Sequence, residues 1–245
     1  TLKTVEDKGD LYNIKMDIQG REFDSYVTKD GGLLFPSSVD LNVVPETPEA
    51  PEPAEVEEQE KAEAELYIFS YCPAGSSTLD SFAEAGKVLK DDADVKVKFF
   101  SEMHGEYEKQ QNIIQACIQE VDSDKYWDYA ADFLEDVYNT CASKRDAECD
   151  MEESIKLMEK VGIDKDAVLS CVEEEGEEIY QQNKDDASAL QLRYSPSVVV
   201  NGVYLQNADR SPEGLKQLIC DSFIEPPEVC SETLDEEGSA SSGSC

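Results

Sequence analysis

Leu66-Tyr67-Ile68-Phe69-Ser70-Tyr71-Cys72-Pro73-Ala74-Gly75 is the stretch on which the fold turns. Its first four residues form a short apolar run that fits a buried strand. The run ends in a cysteine-proline loop, and apolar positions 79, 82, 83, 86 and 89 then follow at the spacing of a helix face. Val95-Lys96-Val97-Lys98-Phe99-Phe100 reads as the next strand. Residues 66 to 100 are therefore expected to form a βαβ unit with a right-handed crossover, the start of a parallel sheet.

Downstream, about 80 residues have helical periodicity and no convincing strand. Apolar faces run through 114, 117, 118 and 121, then 126, 127, 130, 133, 134 and 137, and later 168, 171 and 172, with Asp164 placed to cap the last. This is a helical insertion at about 104 to 190. The chain returns to strand character at Tyr194-Ser195-Pro196-Ser197-Val198-Val199-Val200-Asn201-Gly202-Val203-Tyr204, two strands joined at an Asn-Gly turn. It closes with a helix whose inner face is 215, 218, 219, 222 and 223. The expected class is α/β, with the order β-α-β, helices, β-β-α over residues 66 to 230.

Upstream, residues 1 to 44 alternate apolar and polar, as in Leu11-Tyr12-Asn13-Ile14-Lys15-Met16-Asp17-Ile18, with turns at Gln19-Gly20 and Lys29-Asp30-Gly31-Gly32. This reads as a small antiparallel β unit. Forty-odd residues rarely bury enough surface to stand alone, so pairing with a neighbour or with a second copy, as in a homodimer, is expected. Residues 45 to 65 are rich in Pro, Glu and Ala and read as an extended, self-repelling linker, with helical character in the Glu/Ala stretch near residue 60. Residues 231 to 245 are rich in Ser, Gly and Glu, a flexible tail ending in Cys245.

The 245 residues hold 56 Asp plus Glu against 21 Lys plus Arg, a formal net charge of −35. Such a charge repels phosphate backbones and anionic lipid head groups, which argues against nucleic acid as a partner. With 40% hydrophobic residues there is enough apolar surface for a core, so the acidity belongs to a solvated surface. Most of the excess lies in residues 66 to 230, and a halophilic source is the preferred explanation.

Eight cysteines are an even count with no CxxC, and the one histidine, His104, has no cysteine within ten residues. Disulfides are favoured over metal, and no metal site or cofactor is expected. Disulfides place the chain in an extracytoplasmic, oxidising compartment, either secreted or anchored through a segment lying outside this sequence.

Five short motifs carry a resemblance. They are SYCPAG at 70 to 75, MHGE at 103 to 106, CIQ at 117 to 119 with KYWDY at 125 to 129, the SP…NG segment at 195 to 202, and PPEVC at 226 to 230. In this order they resemble the thioredoxin-fold DsbA-like oxidoreductases with a helical insertion, in particular an archaeal and candidate-phylum bacterial branch. VTKDGGLLFP in the N-terminal unit is weakly similar to the dimerisation domain of DsbC-like isomerases. The first resemblance implies a thiol-disulfide oxidoreductase or isomerase acting on protein or peptide thiols and disulfides. It also implies a cis proline at Pro196, with Ser195 and Pro196 docking an extended substrate.

Cys72 is the expected nucleophile in an active-site loop completed by Pro73, Ala74 and Gly75. At a helix start, unpaired N–H groups and the helix dipole favour a thiolate and lower the thiol pKa. The pattern departs from the family's Cys-x-x-Cys at Gly75, which leaves Cys72 without a local resolving thiol. Three readings stay open: Cys72 acts alone, is resolved by a distant cysteine, or is locked in a disulfide within a redox-inactive binding or structural protein.

Cys220 and Cys230 bracket a turn that lets the chain fold back, and the resemblance supports a structural bond there. Cys141 and Cys149 flank a polar loop and are candidates for a local bond. Cys117 and Cys171 lie on apolar helix faces and either cross-link helices or remain buried thiols. Cys245 is a candidate resolving or protecting cysteine for Cys72, since 15 flexible residues beyond Cys230 span on the order of 20 Å. Otherwise it joins two chains or stays unpaired. His104 is read as helping to start the helix after the second strand, and Trp127 as helix core.

Overall fold

The computed structural model describes residues 2–18, 21–35, 55–234, 243 and 245. The chain divides into two compact units, 1–52 and 53–245. The Gln19-Gly20 turn, positions 45–54 of the linker, residues 36–44 of the N-terminal unit, and positions 235–242 and 244 of the tail lie outside the described residues.

The first unit is a four-stranded antiparallel sheet in the order β1 (Leu2–Asp7), β2 (Leu11–Ile18), β3 (Arg21–Thr28) and β4 (Leu34–Phe35). Period-2 alternation sets the β2/β3 register, with Tyr12 opposite Val27 and Ile14 opposite Ser25. Asp30 closes the third turn by accepting from the Thr28 hydroxyl and the Gly32 amide. Among its described side chains, the fully buried ones are Asn13 and Ser25 and none is apolar. Among the described residues the unit shows no closed apolar core.

The second unit is built on a four-stranded sheet, ordered β6-β5-β7-β8. Strand β5 (Glu63–Ile68) pairs in parallel with β6 (Asp94–Phe99), across helix α1 (Pro73–Leu89). On its other side β5 runs antiparallel to β7 (Ser197–Val200), which turns into β8 (Val203–Leu205). The connection is the Asn201-Gly202 pair, with φ of 46° and 78°, the left-handed geometry of a tight hairpin turn.

Strand β5 begins at Glu63, which corrects the linker boundary and the expected helical character near residue 60. Ala62 and Ala64 are fully buried on either side of exposed Glu63, an alternation that short alanine side chains signal weakly. Asn201 holds this entry: its side chain accepts from the Glu63 amide at 2.8 Å and donates to the carbonyls of Glu57 and Ser222.

The insertion comprises α2 (Glu106–Val121), α3 (Ser123–Phe133), a wider turn at Leu134–Tyr138 leading into α4 (Asn139–Cys141), α5 (Ala147–Val161), α6 (Lys165–Glu174) and α7 (Gly176–Ala189). Asp164 caps α6 as its position predicts, accepting from the amides of Asp166 and Ala167. Helix α8 (Pro212–Cys220) follows β8, capped by Ser211. One sheet face packs Leu66, Ile68, Val97, Phe99, Val198 and Val200 into the main core, and the other buries Tyr67 and Val199 against Ala187 and Leu192. Trp127 is core. A Cβ on Gly86 of α1 would lie 2.5 Å from its ring, so glycine there lets α1 and α3 approach. Among the described residues no helix is long and apolar enough to cross a membrane.

Candidate active site

Cys72 is the N-cap of α1, with extended backbone (φ −72°, ψ 122°) and Pro73 at the first helical position. The loop from β5 is held tightly. The Cys72 amide donates to the Phe69 carbonyl at 3.0 Å, the Ser76 amide donates to the Cys72 carbonyl at 2.8 Å, and the Ser76 hydroxyl donates to the Ser70 carbonyl at 2.7 Å. The Gly75 amide points at the Cys72 sulfur from 3.4 Å, so the sulfur sits where the first helical N–H groups are unpaired.

Ser195 lies against this loop from the start of β7. Its hydroxyl accepts from the Phe69 amide at 2.9 Å, its carbonyl oxygen is 3.4 Å from the Cys72 sulfur, and its bond to Pro196 is cis. Ser195 and Pro196 are both buried. The Cys72 sulfur is bonded to Cys245, whose backbone amide donates to the Ser195 carbonyl at 2.9 Å. With that bond made Cys72 is completely buried, on a floor of Phe69, Ala74 and Phe100.

The other six cysteines pair as Cys117 with Cys171, Cys141 with Cys149 and Cys220 with Cys230, leaving no free thiol. The Cys141–Cys149 bridge packs with Tyr71 and Tyr107, next to the Cys72 loop.

A polar stripe of α2 supports the loop from below, and sequence reasoning missed it. Ser70 donates its amide to Asn112 at 3.1 Å, and Tyr71 donates its amide to the buried carboxylate of Glu108 at 2.9 Å. The same carboxylate meets the His104 ring at 2.9 Å and accepts from the His104 amide at 2.8 Å. His104 therefore serves the start of α2 through Glu108. The Tyr71 hydroxyl donates to buried Asp150 at 2.6 Å. Burial pushes the Asp150 carboxyl up to about 7, against the opposing pull of the hydrogen bonds from Tyr71 and Gln110. The available signal was the spacing of Glu108, Gln111, Asn112 and Gln115: four polar residues at i, i+3, i+4 and i+7 that are fully buried on one helix face.

A cavity of about 840 Å³ lies elsewhere, between the edge of β6 and α2, α3 and α7. Charges on its walls pair with one another, as in Lys90 with Asp124 and Lys98 with Asp186, and none of the expected site residues lines it. Among the described residues no cluster of three or more His, Cys, Asp or Glu is placed to hold a metal ion.

No protein-family model and no curated protein sequence matches the chain. Solved structures do. Reduced DsbA from Mycobacterium tuberculosis is 16% identical with a TM-score of 0.53, over 72% of this chain and 94% of that one. Reduced DsbG, a disulfide bond oxidoreductase from the same organism, is 18% identical with a TM-score of 0.52, over 72% and 89%. Reduced DsbA1 from Neisseria meningitidis is 15% identical with a TM-score of 0.50, over 67% and 84%. The chain has the DsbA-type thioredoxin fold.

Gly75 is tightly enclosed in the Cys72 loop. A Cβ at Gly75 would lie 2.6 Å from the Ser195 hydroxyl oxygen, 3.0 Å from the Phe69 carbonyl and 3.3 Å from the Cys72 Cβ. The Ser195 hydroxyl fills the space a side chain at position 75 would need. The sulfur bonded to Cys72 comes from position 245 instead of from the loop itself.

Proposed function

We propose that the chain is a thiol-disulfide oxidoreductase or isomerase in which Cys72 is the exchanging sulfur and Cys245 its distant partner. One observation carries this: Cys72 sits at the N-terminus of α1, bonded to a cysteine whose backbone rests on the Ser195 carbonyl. The similarity to proteins named DsbA and DsbG supports the same reading.

In the forward direction a substrate thiolate attacks the Cys72 sulfur. The Cys72–Cys245 bond breaks as the bond from Cys72 to the substrate forms, and Cys245 leaves as a thiolate that takes a proton from solvent. A second substrate thiolate then attacks the substrate sulfur of the mixed disulfide, and Cys72 leaves as a thiolate stabilised by the helix N-terminus. The substrate thiols lose two electrons and the Cys72/Cys245 pair gains them. The reverse sequence reduces a substrate disulfide, and the surrounding redox poise sets the direction.

Four disulfides fit an oxidising, extracytoplasmic setting. We assign the chain to the single-cysteine-loop branch on its SYCPAG motif, and the N-terminal unit to a dimerisation role akin to that of DsbC-like proteins. The alternative, a redox-inactive binding protein with Cys72 locked, is favoured by the complete burial of Cys72. Equilibration in glutathione buffers followed by peptide mapping separates the two. Exchange requires the 72–245 linkage to open and close reversibly, while the other three persist, and insulin-reducing activity to vanish in Cys72→Ala. A linkage that resists every poise at which the native fold survives leaves the binding protein.

A further inference from the structure

Cys245 and Gly243 each make one main-chain contact besides the disulfide. The Cys245 amide donates to the Ser195 carbonyl at 2.9 Å, and two residues earlier the Gly243 carbonyl accepts from Nη1 of Arg210 at 2.7 Å. A spacing of two is the period at which an extended chain turns its N–H and C=O groups to the same side. Both contacts are to main-chain atoms, and Gly243 has no side chain to be read.

Arg210 is built into the site. It lies between β8 and α8, one residue before the Ser211 cap, and its Nη2 is 3.5 Å from the carbonyl of Pro196. Asp209 accepts from the Ser211 amide at 3.0 Å and packs against Gly214, where a Cβ would meet its carboxyl carbon at 2.3 Å. The arginine's backbone is thus fixed from both neighbours. A planar guanidinium that spans two carbonyls, one from the cis-proline loop and one from the bound segment, is suited to fixing a peptide's register.

We propose that Arg210, the Ser195 carbonyl and the floor of Phe69, Ala74 and Phe100 form a main-chain-reading track for cysteine peptides. In it Arg210 fixes the carbonyl two residues before the attacked cysteine, and positions 243 and 245 of this chain occupy the track as an internal substrate. The proposal rests on the exchange role of Cys72. It adds Arg210 as a specificity-determining residue, and it defines the ligand as a peptide with a free carbonyl two residues before its cysteine, whatever the side chain there. An incoming peptide competes with an occupant tethered at high effective concentration.

The test uses the full chain carrying Cys245→Ser, which empties the track and frees Cys72. Two probes are compared, acetyl-Ser-Gly-Ser-Cys-amide and acetyl-Cys-amide, each as its 5-thio-2-nitrobenzoate mixed disulfide, with release of the coloured thiolate as the readout. Only the longer probe offers the carbonyl that Arg210 reads. We expect it to react at least about tenfold faster, as one charge-assisted hydrogen bond provides. Arg210→Met should bring the two rates together, and Arg210→Lys should restore part of the ratio. Circular dichroism establishes that each variant is folded. Equal rates in the Cys245→Ser protein, or a ratio untouched by Arg210→Met, overturn the track while leaving exchange intact. A Cys72 that reacts with neither probe overturns the exchange reading itself.

Discussion

The amide of Cys245 donates to the carbonyl of Ser195 at 2.9 Å while its sulfur is bonded to Cys72, so one residue joins the start of α1 to the cis-proline loop. Removing it should expose Cys72. In Cys245→Ser, native-state alkylation at neutral pH is expected to label Cys72 within minutes, whereas the oxidised parent should remain unlabelled. Mass spectrometry of the tryptic peptides reads the outcome, and a Cys72 still protected in the variant would show that something other than the 72–245 bond covers it.

Gly75 and Ser195 share one space, 2.6 Å from a would-be Cβ to the hydroxyl oxygen. Gly75→Ala should destabilise the fold by about 1–3 kcal/mol through overpacking. Adding Ser195→Gly in the same chain should recover part of that loss, because the clash goes even though the hydroxyl's bond from Phe69 is also lost. Urea unfolding of the two single variants and the double gives the coupling.

Asp150 sets a pH dependence. In the folded chain its carboxyl keeps a proton up to about 7, whereas its reference value is 3.8, so between these the folded state binds more protons than the unfolded one. Its contribution to stability therefore declines as pH rises through that window and is level above it. Asp150→Asn removes this decline, and the difference between variant and parent should grow from pH 4 to pH 7 by at most about 4 kcal/mol. A difference that stays constant across the window would show that Asp150 titrates at its ordinary value.

A net charge of −35 makes self-repulsion a salt-dependent load on the folded state. Melting temperature should rise as sodium chloride is raised from 0.05 to 1 M. A flat or falling response in differential scanning fluorimetry would count against adaptation to high salt.

The N-terminal sheet leaves Leu2, Val5, Leu33, Leu34 and Phe35 exposed, with Leu2 and Leu33 each at 61%. If a second copy covers them, Leu33→Asp with Leu34→Asp should convert dimer to monomer in sedimentation equilibrium. A parent that sediments as a monomer at micromolar concentration would remove the dimerisation role.

Much of the architecture is local and was legible in the residues. Period-2 alternation marks β2 and β3, the Asn201-Gly202 pair marks its hairpin, and a cysteine followed by proline marks the start of α1. Each of these depends on backbone preferences or burial periodicity within a few positions. Helix α7 (Gly176–Ala189) was harder, because Gln, Asn, Lys and Asp dominate its sequence and few apolar positions outline its inner face.

What the sequence by itself determined is the order β-α-β, helices, β-β-α over residues 66 to 230 and the charge and cysteine inventories, because these follow from composition and short-range spacing. The tertiary structure alone decided which distant groups meet. The Cys72–Cys245 bond joins positions 173 residues apart, the Ser195 hydroxyl fills the volume at Gly75, Glu108 holds the Tyr71 amide from α2, and Arg210 donates to the carbonyl of Gly243. Apart from the polar spacing on α2 that includes Glu108, none of these contacts has a local periodicity to announce it. Each exists because the sheet and its insertion close in three dimensions around the N-terminus of α1.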